Sequence, residues 1–136
     1  MIHGGNDHII EFNELHHVCL EGADNGAFYT GRDWTYRGNI LRYNSFHDVY
    51  GYGFVRIDTA KGIAEYESPH TTQGIYLDDA VSSFHIYGNL LYRIGDRMIQ
   101  LGGGRDHLIE NNIFVDGRPA IGVDARWSAY NWDGHM

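Results

Sequence analysis

An all-β solenoid, a single-stranded parallel β-helix of about five coils, is the fold this sequence predicts. Three observations point to it. Ile2–Asn13 (IHGGNDHIIEFN) and Leu101–Asn112 (LGGGRDHLIENN) match at seven of twelve positions without a gap. Related copies at Arg37–Asn44 (RGNILRYN) and Phe84–Asn89 (FHIYGN) also run apolar residues up to an asparagine. Finally, Phe28–Gly31, Ile75–Asp78, Ile99–Gly102 and Ile121–Asp124 all alternate with period two. A short segment used several times is one structural unit that buries its apolar face by stacking on its neighbours.

The four asparagines, Asn13, Asn44, Asn89 and Asn112, are separated by 31, 45 and 23 residues. A period near 23 with insertions of variable length suits β-helix coils better than helical repeats, whose length is stricter. Each asparagine falls at or near a turn, where stacked amides bond to one another and to turn backbone, so an asparagine ladder is expected. In the period-two segments the first and third residues are mostly apolar and should point inward, the second and fourth outward. Ile2-His3 continues the series. The outward positions, in stacking order, are then His3, Gly31, Asp78, Gly102 and Asp124. Helix is disfavoured, because β-branched and aromatic residues fill the apolar runs and Gly or Asn interrupts every helical window.

The 136 residues make one domain, 1–136, with insertions expected at Cys19–Gly26, Tyr50–Gln73 and after Trp127. The 50–73 segment is too long for a tight turn and is expected to wall a cleft, or else to hide one more coil around Phe54–Ile57. The chain starts inside a repeat and ends soon after one, so it reads as a portion of a longer helix. Bare solenoid ends present unpaired strand edges. Stacking of copies end to end, or cover from flanking segments, is therefore expected.

Ten Lys+Arg against 18 Asp+Glu give a net charge of −8, which argues against a nucleic-acid partner. No 18-residue apolar run is present, so no membrane span is expected, and no basic-then-apolar leader precedes the first repeat. The single cysteine, Cys19, excludes an intrachain disulfide and reads as a buried or idle thiol. His16-His17 and His47-Asp48 each follow a ladder strand, and stacking could bring them together. They lack an established ligand spacing, so no metal is expected. His8 and His107 occupy matching repeat positions and read as structural. No Ser-His-Asp order, P-loop or dinucleotide fingerprint occurs.

Several strings resemble a known group: Tyr29–Thr35 (YTGRDWT), Arg37-Gly38-Asn39, Gly74–Asp79 with its YLDD, Gly102–Asp106 (GGGRD) and Asn111-Asn112. Together they look like the right-handed parallel β-helix carbohydrate-active proteins of polysaccharide-degrading bacteria, within the pectate-lyase-like superfold and similar to glycoside hydrolase family 141. The likeness runs from His3 to about Trp127. It implies right-handed coils and glycosidase activity of the fucosidase or xylanase kind. Members are usually several times longer than this chain.

Glycosidic hydrolysis commonly uses two carboxyl groups flanking the scissile bond. Outward residues on adjacent coils lie about 4.8 Å apart, so Asp78 and Asp124, with Gly102 between them, should lie about 9.6 Å apart. That is at the upper edge of the roughly 6.5–9.5 Å range of inverting enzymes. Asp33 and Asp78 belong to neighbouring coils and would lie closer. The catalytic candidates are Asp33, Asp78, Asp79 and Asp124, with acid and nucleophile unassigned, and solvated turn aspartates as the bland alternative. Substrate-binding candidates are Tyr29, Trp34 and Tyr76 as stacking platforms, Arg32, Arg105 and Arg126 as orienting cations, Gln100 on the same sheet, and His70 facing the cleft.

The expected function is hydrolysis of a plant or algal polysaccharide or oligosaccharide, outside the cell or in the periplasm, without a cofactor. Two alternatives stay open. A polysaccharide lyase on the same scaffold would use Arg32, Arg105 or the single lysine, Lys61, as base, and could require calcium. A non-catalytic glycan-binding or structural stack would need no carboxylate pair.

Overall fold

The structure, a computed structural model, describes residues 1–124. It is all-β. The strands are β1 (Ile9–Glu11), β2 (Glu14–His16), β3 (Asn25–Thr30), β4 (Ile40–Arg42), β5 (Ser45–Val49), β6 (Gly53–Asp58) and β7 (Ile63–Glu67). They continue with β8 (Thr72–Leu77), β9 (His85–Tyr87), β10 (Leu90–Ile94), β11 (Ile99–Leu101), β12 (Leu108–Glu110), β13 (Ile113–Val115) and β14 (Ile121–Val123). Apart from the β6–β7 hairpin, the chain visits three four-stranded sheets in rotation. The first has the order β1-β4-β9-β12, the second β13-β10-β5-β2 and the third β14-β11-β8-β3. All pairings in these three sheets are parallel.

The asparagine ladder forms at the corner between the first and second sheets. Asn13 donates its backbone and side-chain N–H groups to Asn44 Oδ1, both at 3.0 Å, and Asn44 does the same to Asn89 at 3.0 Å. Asn89 continues to Asn112 at 3.0 and 2.9 Å. Each side-chain amide also donates to the carbonyl two residues back: Glu11, Arg42, Tyr87 and Glu110. Those bonds hold a sharp turn, in which Phe12, Tyr43, Gly88 and Asn111 all take positive φ of 53–65°. Side chains with a Cβ resist that conformation, so the asparagine bonds offset a local cost.

Phe28, Leu41, Phe46, Ile75, Leu77, Ile86, Leu91 and Ile99 fill the space between the sheets at 0% exposure. Each such burial is worth roughly 1.5–3 kcal/mol. His3 does not join the outward series. Ile2, not His3, bridges to Tyr29, and the His3 ring lies 5.6 Å from that of Phe28. A shift of one residue moves a side chain to the other face, so the fifth rung is only this isolated bridge. His107 Nδ1 accepts from the Phe84 amide at 3.3 Å and His8 bonds to His3 at 2.9 Å, both intramolecular ties. Cys19 is a free, half-buried thiol against the core.

The 50–73 segment forms no additional coil. It folds as the antiparallel hairpin β6–β7, with Arg56 paired to Glu65 across it and Lys61 to Asp58 at its turn.

Candidate functional site

On the third sheet the sequence-derived register holds. Tyr29, Tyr76, Gln100 and Gly122 pair in one row across β3, β8, β11 and β14. Beyond the strand ends the ladder continues: the Asp78 amide donates to Thr30 O at 2.8 Å, Gly102 to Leu77 O at 2.6 Å and Asp124 to Leu101 O at 2.8 Å. Asp78, Gly102 and Asp124 therefore occupy successive rungs.

Asp78 is 5% exposed, and glycines on both sides make room for it. A Cβ at Gly31 would lie 2.9 Å from Asp78 Cβ, and one at Gly102 would lie 2.7 Å from Asp78 Oδ1. The carboxylate thus leans across Gly102 in the direction of Asp124. Its other oxygen accepts from the Tyr29 hydroxyl at 3.2 Å. Burial and the Asp78 charge push Tyr29 above the ordinary phenol range, so the hydroxyl keeps its proton and donates. Gly102→Ala should displace the Asp78 carboxylate, and its Cβ would also lie 3.1 Å from Asp78 Cα and 3.2 Å from Leu77 O, so we expect a lower unfolding midpoint in urea titration.

The outer face of this sheet carries a cleft of about 390 Å³. Asp24, Thr71, Gln73, Tyr76, Arg97, Gln100, Val123 and Asp124 line it. Of the sequence candidates, Tyr76, Gln100 and Asp124 line the cleft and Asp78 with Tyr29 sits on the same sheet. Asp33 instead caps its own turn, accepting from the Thr35 hydroxyl at 2.6 Å and amide at 3.0 Å, and these bonds hold its carboxyl below the usual range. Asp79 accepts from the Arg32 amide at 3.1 Å and pairs with its guanidinium at 3.3 Å. Trp34 is 59% exposed, and Arg105 pairs with Asp106 at 3.6 Å. His70 is not among the lining residues. Its Nδ1 bonds Glu67 at 2.9 Å and its ring packs where a Gly53 side chain would be. Arg126 lies outside the described residues. Asp24, Thr71, Gln73 and Arg97 were missed, since they fall outside the recurring segments.

A second polar cluster lies on the second sheet. His47 stacks between His16 (4.9 Å) and Tyr92 (4.6 Å), so the two histidine pairs do meet. His47 Nδ1 bonds Asp48 at 2.7 Å and Nε2 bonds Glu14 at 3.0 Å. Arg93 grips Asp48 from the next rung through two bonds of 2.6 Å. Two carboxylates on one ring require both nitrogens to donate, which only the imidazolium does. Among the described residues, no group of three His, Cys, Asp or Glu is placed to hold a metal ion.

Burial pulls the His47 pKa down, but the Asp48 and Glu14 bonds outweigh it and the net shift is upward. Its contribution to stability is therefore complete below about pH 6.5 and fades as pH rises through the folded value. Asp48, held by Arg93 and then His47 far below the ordinary carboxylate range, contributes at any pH above about 3.8. Thermal unfolding at pH 5.5 and 8.5 should show a fall in Tm that His47→Gln largely removes. An equal fall in the variant would contradict the bridging role.

Comparison with family models, with curated proteins and with solved structures returns no match for this chain.

Proposed function

We propose that the three-sheet stack is a right-handed parallel β-helix and that its outer cleft hydrolyses glycosidic bonds of a plant or algal polysaccharide. The observation that carries this reading is the pairing of Asp78 with Asp124 across a glycine, at the edge of a cleft lined by Tyr76, Gln73 and Gln100. Two carboxyl groups two rungs apart, about 9.6 Å by strand spacing, leave room for a sugar and a water between them. Tyr76, at 3% exposure, is an aromatic wall of the cleft and not the stacking platform the sequence suggests, while the glutamine amides of the lining suit polar contact with a sugar. Asp33 and Asp79 serve their turns and leave the reaction to the other two. An extracellular or periplasmic location, and stacking of copies through the outermost strands, belong to the same proposal.

Arg97 favours a second reading, a polysaccharide lyase, because it is the one cation among the described cleft-lining residues. Screening the purified protein against plant and algal glycans separates the two. Hydrolysis yields new reducing ends without an unsaturated product. Absorbance from an unsaturated uronide would replace the hydrolase by the lyase, and oligosaccharide retention without turnover would leave a binding module.

A further inference from the structure

We infer that the cleft beside Asp78 and Asp124 is a subsite for an amine-bearing sugar, a hexosamine unit carrying a free ammonium group. This deepens the carbohydrate reading above and rests on it. Two of the described residues lining the cleft carry a buried acceptor that meets no donor. Gln73 and Gln100, 3% and 5% exposed, both have a side-chain carbonyl with no hydrogen-bond partner. The orientation of Gln100 is set by its Nε2, which donates to Leu101 O at 3.3 Å. An unpaired buried acceptor is costly, and a ligand that donates to it recovers that cost.

The charges point the same way. Asp24 and Asp124 bring two carboxylates to the lining, and Arg97 brings one guanidinium. That guanidinium donates from Nη1 to Asp96 at 3.0 Å, which offsets part of its charge. The Tyr76 hydroxyl, a donor the cleft could have offered, is directed to Asp24 at 3.4 Å. A uronate would meet this acidic surface as a like charge, and an N-acetylated sugar would bring no cation to it. An ammonium supplies three donors and a positive charge, which answers both the carboxylates and the glutamine carbonyls. Arg97 and Gln100 lie together over Gly122, where any side chain would collide with them, so the floor of the subsite depends on that glycine.

Titration calorimetry on the whole chain tests this with four probes: a glucosamine oligosaccharide, its N-acetylated counterpart of equal length, an oligogalacturonate, and spermidine as an amine without a sugar. The glucosamine oligosaccharide should bind about tenfold more tightly than the N-acetylated form, a gap of about 1.4 kcal/mol, and the oligogalacturonate most weakly. Asp24→Asn should narrow that gap several-fold, and a gap unchanged in the variant would overturn the assignment. Equal binding of amino and N-acetyl forms, or a preference for the uronate, would overturn the subsite assignment and leave the hydrolase standing. Spermidine binding as tightly as the amino-oligosaccharide would overturn it too, by making the sugar irrelevant. If no oligosaccharide of any class binds, both the subsite and the carbohydrate function fall.

Discussion

Asp78→Asn and Asp124→Asn should each lower turnover about 10³-fold, within the range that a positioned acid or base supplies. Oligosaccharide affinity should stay within a few-fold of wild type. The asparagine at 78 keeps the size of the side chain and still accepts from the Tyr29 hydroxyl, whose bond to Asp78 is 3.2 Å, so the fold should survive. What it loses is the ability to hold or release a proton. Asp33→Asn and Asp79→Asn are the matched controls. Their carboxylates serve Thr35 and Arg32, and we expect turnover within a few-fold of wild type for both. Reducing-end release by the four variants decides it. Full activity in both Asp78→Asn and Asp124→Asn would end the carboxylate mechanism.

The second large effect is on stability. Asn89 is 1% exposed and sits in the middle of the ladder. Its amide nitrogen donates to Leu41 O, Tyr87 O and Asn112 Oδ1, and its oxygen accepts two bonds from Asn44. Asn89→Ala orphans several of these buried groups at once, each at about 1–3 kcal/mol, so a loss of about 3–5 kcal/mol is expected. Against a total stability of about 5–15 kcal/mol, that brings the domain close to unfolding. Asn13→Ala, at the half-buried end of the same ladder, should cost about 1 kcal/mol because only its two side-chain bonds, to Asn44 Oδ1 and Glu11 O, are lost. Urea unfolding of the two variants measures the difference. Equal losses would mean that the asparagines do not act as a connected stack.

The asparagines and the four period-two segments were legible in the sequence because one residue type, or one alternation, recurs at each rung. Other repeating features are silent. Positive φ of 49–54° recurs just after β2 and β13, at His17 and Asp116, and near the ends of β5 and β10, at Asp48 and Arg93, yet His, Asp and Arg share the position and leave no pattern to read. The cleft was only half visible for a related reason. At its near edge the alternation breaks: Ala27 and Phe28 are both fully buried, and a Cβ at Gly74 would strike Leu91. Gln73 reaches the cleft beside Tyr76 through that break, where strict alternation would place it inside. Asp33 and Asp79 looked like site acids because their strings are distinctive, but a turn that needs an aspartate leaves the same mark. His3 was misplaced by a single residue of register. The hairpin β6–β7 carries apolar residues like those of a rung, but its pairing is antiparallel and Phe54, Val55 and Ile57 are at least half exposed.

The central claim is that the outer face of the third sheet is where glycan meets protein. Amide chemical-shift mapping with the tightest-binding oligosaccharide tests it most directly. Shifts should concentrate at Gln73, Tyr76, Gln100, Gly102 and Asp124. Shifts centred instead on His16, His47 and Tyr92 of the second sheet, or spread without a focus, would contradict it.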